Sequence, residues 1–153
     1  MLFRSRSLIK FNRSAVEPLI QSLDSVDAVA AAGIIRALGD IGDKRALDPL
    51  LRQVDGANRK EVFLALGKLR DSQAESVLIS GLSDSDWQVR MNAAMALGTV
   101  GGETSVSVLR QTLDDEVMVV REWSARSLSV ISGKPVQYRD ATGKLVEPYS
   151  VYH

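Results

Sequence analysis

Few residues of this chain are of types that could do catalytic chemistry. Among 153 residues there is no cysteine, and the one histidine, His153, is the last residue. Thiolate nucleophiles, disulfides and zinc–cysteine sites are thereby excluded. A histidine-based acid–base or metal constellation has no second member. The carboxylates are scattered through turn-like segments, so a carboxylate-only metal site is not expected. No catalytic residue, metal or cofactor is read from the sequence, and a non-enzymatic role is expected. The residue types that remain are those of recognition. Trp87, Trp123, Met91, Met95 and Met118 offer adaptable apolar contact, and Arg36, Lys60, Glu122 and Arg126 offer polar contact.

The elements that must position these residues show themselves as an internal repeat. Ala15-Val16-Glu17-Pro18-Leu19-Ile20 returns 31 residues on as Ala46-Leu47-Asp48-Pro49-Leu50-Leu51. Further copies start at Ala74 and Ser105, so the step from the second copy to the third is 28 rather than 31. About one helical turn is missing there, and the spacing places the loss near Asp55-Gly56, at an inter-helix turn. A second segment alternates with the first: Ala37-Leu38-Gly39, Ala65-Leu66-Gly67, Ala96-Leu97-Gly98 and the degenerate Ser127-Leu128-Ser129.

Both segments read as helices. Val16, Leu19, Ile20 and Leu23 fall at i, i+3, i+4 and i+7, one apolar face. Pro18 is expected near a helix start, where a missing N–H costs least. The glycine after each Ala-Leu pair suits close helix approach or a helix end. The predicted helices are 14–23, 26–40, 44–54, 57–69, 73–82, 86–99, 103–113 and 116–131. Helices this short are unstable alone and must stack to bury their faces. Aromatics make up only 5% against 45% hydrophobic residues, which suits a Leu/Val/Ile/Ala core between helices. The fold class is therefore all-α: a superhelical solenoid of about four helical hairpins over 14–133. Residues 1–13 are expected to be a cap or partial repeat in which Leu2, Phe3, Leu8, Ile9 and Phe11 form a short helix. Residues 134–153 are expected to form a tail, extended or a small β-hairpin around Asp140-Ala141-Thr142-Gly143.

The run Val89-Arg90-Met91-Asn92-Ala93-Ala94-Met95-Ala96-Leu97-Gly98 resembles the short HEAT-like repeats first described in phycobilisome (bilin) lyases. Val120-Arg121 begins another copy, and Asn58-Arg59 keeps only the arginine. The resemblance spans about 14–133. It implies a scaffold whose second helices line a concave groove. It also implies, as an alternative, a bilin lyase or phycobilisome-associated factor acting on a tetrapyrrole and a phycobiliprotein. Iron-binding relatives hold their metal through His-Glu pairs, which are absent here.

Arg59, Arg90 and Arg121 share the 31-residue register. Their expected role is a structural ladder, with Arg90 reaching Asp84, Asp86 or Asp55 across a neighbouring turn. On the helix from 86 to 99, Trp87, Met91, Met95 and Thr99 gather opposite the Val89/Ala93/Leu97 stripe. The equivalent positions elsewhere include Met118, Glu122, Trp123 and Arg126, then Lys60, Leu64 and Lys68, then Arg36. Three readings of this patch stand open: a protein partner, coverage by the tail, or burial by tight curvature.

Lys+Arg and Asp+Glu are balanced at 19 each, so nucleic acid is not an expected partner. Arg4, Arg6, Lys10 and Arg13 precede the first acid and read as a solvated cap before a phosphate- or membrane-binding arm. With no membrane-length apolar run and no signal-like start, a cytoplasmic protein is expected. Tyr138, Tyr149 and Tyr152 are expected to dock the tail, and His153 to be disordered.

Overall fold

The computed structural model describes the backbone of residues 2–149 and the side chains of residues 12–149. The expectations for the side chains of 1–11 and for Tyr152 and His153 lie outside the described residues. Eight α-helices follow one another: α1 (Leu2–Leu23), α2 (Ala28–Ile41), α3 (Leu47–Leu51), α4 (Arg59–Leu69), α5 (Glu75–Gly81), α6 (Trp87–Val100), α7 (Glu103–Gln111) and α8 (Met118–Ser132). A two-stranded antiparallel hairpin, β1 (Tyr138–Arg139) and β2 (Leu145–Val146), completes the described chain. The architecture is the expected α-solenoid with a hairpin tail. Among the described residues, no helix is long and apolar enough to cross a membrane.

Alternate helices form two layers. The second helices of the hairpins, α2, α4, α6 and α8, pack successively on one another, whereas the first helices pack chiefly on their own partners. The core lies between the layers. Val16, Ile35, Leu50, Leu66, Leu78, Leu97, Leu109 and Leu128 are fully buried there, several on each layer. Each is an aliphatic residue at the periodic position that the repeat repeats, so the stack buries one continuous seam.

Three local expectations need correction. α1 runs unbroken through residue 13, so Pro18 lies inside a helix and not near its start. Its counterpart Pro49 does sit in the first turn, of α3. Three predicted first helices are part 3-10: turns at Lys44–Ala46 and Ser72–Ala74 precede α3 and α5, and one at Thr112–Asp114 follows α7. Asp43 and Asp71 hold the first two turns by accepting the N–H groups of Arg45 and Gln73 at 2.9 and 3.0 Å. Gly56-Ala57-Asn58, which the shared register of Arg59 and Arg90 sets opposite Trp87-Gln88-Val89, form turn rather than helix. α4 has 11 residues where α2 and α6 have 14, so α4 lacks a first turn.

Helix ends follow their capping chemistry. Asp27 and Asp86 cap α2 and α6, accepting Ala30 N–H and Gln88 N–H at 2.8 Å each. At the other end, Gly42 closes α2 with φ 71°, and the same left-handed position after α4 is taken by Arg70 at φ 53°.

Candidate functional site

The second-helix layer is held at close range by the Ala-Leu-Gly segments. A Cβ on Gly67 would fall 2.7 Å from Ala96 Cβ, and one on Gly39 would fall 2.9 Å from Ala65 Cβ. On Gly98 it would meet Ser127 Oγ at 2.7 Å. The glycine of each repeat thus receives the small residue that precedes the leucine of the next. Side chains also reach back to carbonyls of the previous second helix: Asn92 to Lys60 O at 2.8 Å, Thr99 to Gly67 O at 3.2 Å and Ser127 to Ala94 O at 2.6 Å. These polar ties were not legible in the sequence, although Ser127 occupies a repeat position elsewhere filled by alanine.

The arginines tie each repeat to the one that follows. Arg59 donates to Asp84 at 3.1 Å. Arg90, nearly buried, grips both oxygens of Asp115 at 2.8 and 3.1 Å and donates to Asp84 O at 2.9 Å. The carboxylate expected for Arg90 was Asp84, Asp86 or Asp55, and each is otherwise placed or engaged. Asp84 serves Arg59 and the N–H of Asp86, and Asp86 caps α6. The hydrogen bond with Asp115 raises the pKa of Arg90 above its already high ordinary value.

Arg121 is followed, among the described residues, by the tail hairpin rather than by a repeat. It takes Asp115 O at 2.6 Å on its own side and Arg139 O at 2.8 Å on the tail. The hairpin therefore occupies the place of the next repeat against α8. Tyr138 of β1 is buried there, and desolvation pushes its phenol pKa up. Asp140 shapes the turn, accepting Thr142 Oγ1–H, Thr142 N–H and Lys144 N–H at 2.7, 2.8 and 3.0 Å. On the first-helix layer, Glu75 accepts Ser105 Oγ–H at 2.6 Å and Gly102 N–H at 2.8 Å, capping the start of α7 from the preceding repeat. No spacing rule pointed to Glu75.

The recognition residues divide into groups. Trp87 and Met118 are the first residues of α6 and α8, counterparts in the repeat, and both are exposed, at 42% and 37%. Val26 and Val29, at the start of α2, are exposed too. Val29, Trp87 and Met118 thus share the N-terminal edge of the second helices, interrupted at α4, whose first turn is absent, while the exposed Val130 lies near the other end of α8. Met91, Met95 and Leu64 are half-buried. Lys60 donates to Gln88 at 3.0 Å, and Lys68 pairs with Asp40. Arg36 is exposed, with no polar partner among the described residues.

Trp123 belongs to a different environment. It packs against the core, with the Arg126 guanidinium 5.1 Å from its ring centroid. Arg126 in turn donates to Glu122 at 2.7 Å, one turn back. Trp123 and Arg126 line an open cleft of about 650 Å³ whose far wall is the tail at Pro148 and Tyr149. The tail therefore borders this part of the expected patch, and not the part at Trp87.

Two families match the chain. HEAT repeats match residues 54–129, and the PBS lyase HEAT-like repeat matches residues 30–55. No curated protein matches. Among solved structures, the crystal structure of an engineered protein superposes with a TM-score of 0.62 at 23% identity, covering 78% of this chain. The chain spans 63% of that structure's length, and the likeness is one of fold. The consecutive matches, the shared register of Arg59, Arg90 and Arg121, and the two-layer stack agree: this chain belongs to the HEAT-like repeat proteins of the PBS lyase repeat type.

Proposed function

We propose that the chain is a non-catalytic interaction module that takes a protein partner on its second-helix layer, with Trp87 and Met118 as the principal anchors. The observation that carries this reading is their pairing: two large apolar side chains at one repeat position, on adjacent helices, both left open to solvent. An apolar pair of that kind is retained at a cost in solubility and is the usual signature of a contact surface. Met91 and Met95 extend the apolar strip along α6, and their flexible thioethers suit a partner that must be accommodated. Arg36 supplies an uncommitted guanidinium on the same layer, whereas Lys60, Glu122 and Arg126 already have intramolecular partners and serve as rim. Trp123 stands apart from this strip, packed on the core at the cleft beside the tail.

The test is affinity capture from the native source with the wild-type chain, the double variant Trp87→Ala/Met118→Ala and a first-layer control, Arg110→Ala. The reading expects a partner that the wild type and the control retain and the double variant loses. Retention by the double variant at wild-type yield overturns the anchor assignment.

A further inference from the structure

The cleft at the other end of α8 has the chemistry of a small-ligand site rather than of a protein contact. One wall is α8 itself, from which Trp123, Arg126 and Val130 project at spacings of three and four residues. Opposite stand Pro135, Pro148 and Tyr149. The hairpin that leads into the second wall is held against α8. Val136 N–H donates to Ser129 Oγ at 3.0 Å, Arg121 holds the carbonyl of Arg139, and Tyr138 is buried beneath the hairpin. Tyr149 at the end of that wall is 87% exposed, and the open space of about 650 Å³ suits a small molecule.

Its charges are unequal. Two cations, Arg126 and Lys134, border the cleft against one carboxylate, Glu147. Arg126 gives one hydrogen bond, to Glu122, out of the five donors a guanidinium carries, and its Nε is buried without a partner. The Lys134 ammonium pairs with no carboxylate among the described residues. Apolar and aromatic walls with the Lys134 ammonium at one side, beside an Arg126 whose pairing with Glu122 leaves further N–H donors, complement a flat ring that bears an anion. We propose that this cleft binds a small aromatic carboxylate, its ring between Trp123 and Tyr149 and its carboxylate toward Lys134 and Arg126. A cationic ligand would face both Arg126 and Lys134, and a neutral one would leave the Lys134 charge unanswered.

The test uses 2-naphthoate as probe and the indole N–H resonances of the two tryptophans, assigned with Trp87→Phe, as readout. The proposal expects a saturable shift of the Trp123 resonance and none of Trp87. The neutral analogue 2-naphthalenemethanol and the variant Lys134→Gln should each weaken binding about fivefold, the loss of one partly solvated ion pair. Tyr149→Ala should weaken it at least as much. Lys134 and Tyr149 are exposed, so both variants should keep the wild-type melting temperature. No saturable shift, equal binding of acid and alcohol, or a response at Trp87 instead of Trp123 overturns the proposal. None of these outcomes bears on the protein-contact role of Trp87 and Met118.

Discussion

Arg90 and Asp115 face each other through two N–H···O bonds, Nε to Oδ2 at 2.8 Å and Nη2 to Oδ1 at 3.1 Å, across the boundary between consecutive repeats. Each side chain is about 10% exposed. Removing one partner would strand the other's charge out of water. Arg90→Ala should therefore destabilise the chain by about 3–5 kcal/mol, and Arg90→Lys should recover only part of this because the fork is lost. Arg59 makes the analogous contact with Asp84 but is 37% exposed, so Arg59→Ala should cost no more than about 1 kcal/mol. Urea unfolding of the three variants checks the order.

Gly67 is a spacer and not a hinge. The 2.7 Å separation that its Cβ would have from Ala96 Cβ lies inside van der Waals contact. Gly67→Ala gains helix propensity yet should lose about 1–3 kcal/mol through overpacking. Combining it with Ala96→Gly should restore part of the loss, because the two sites share one contact. A double-mutant cycle in urea measures this, and additive losses would show that the two residues do not meet.

Glu75 links acid stability to the stacking of the first helices. The hydrogen bond from Ser105 and, after it, the N–H of Gly102 lower its pKa below the ordinary 4.5. A carboxylate depressed in the folded state contributes stability above its unfolded pKa and loses that contribution as pH falls through the folded value. The melting temperature should therefore drop on acidification below about pH 4.5, and Glu75→Gln should show a shallower drop over the same interval. Parallel curves for the two proteins would contradict the assignment.

Arg70 closes α4 in the left-handed conformation that Gly42 adopts after α2. A side chain there carries a steric cost that glycine avoids. Arg70 is exposed, and no hydrogen bond or ion pair of its side chain is present among the described residues. Arg70→Gly should then stabilise the chain by about 0.5–1 kcal/mol, read as a rise in unfolding midpoint.

The repeat, the helix identities and the core were legible because one physical requirement generates them all. Buried aliphatic residues must recur with the stacking period, and Leu38, Leu66, Leu97 and Leu128 do. The arginine register was legible for the same reason, but the partner of Arg90 was not. Choosing Asp115 over Asp84 requires knowing which carboxylates are already spent on capping and on Arg59. The missing residues were visible as a step of 28, but the late start of α4 was not, because it depends on where the helix nucleates and Asn58 makes no cap bond. The candidate patch was half legible. Periodicity placed Trp87, Met91, Met95 and Trp123 on one face, but exposure along that face is set by neighbours. Trp87 stands at an edge opposite a helix that starts late, and Trp123 is held by Arg126 and bordered by a tail whose path no repeat predicts.

The most direct measurement of the central claim is site-specific photocrosslinking in cells that produce the protein, with p-benzoylphenylalanine placed singly at Trp87, Met118, Ser76 and Arg110. Ser76 and Arg110 are exposed on the first-helix layer. A protein-contact role for the second-helix edge predicts adducts with a common protein from positions 87 and 118 and none from 76 and 110. Adducts from 76 or 110 alone, equal adducts from all four, or none from 87 and 118 would contradict it.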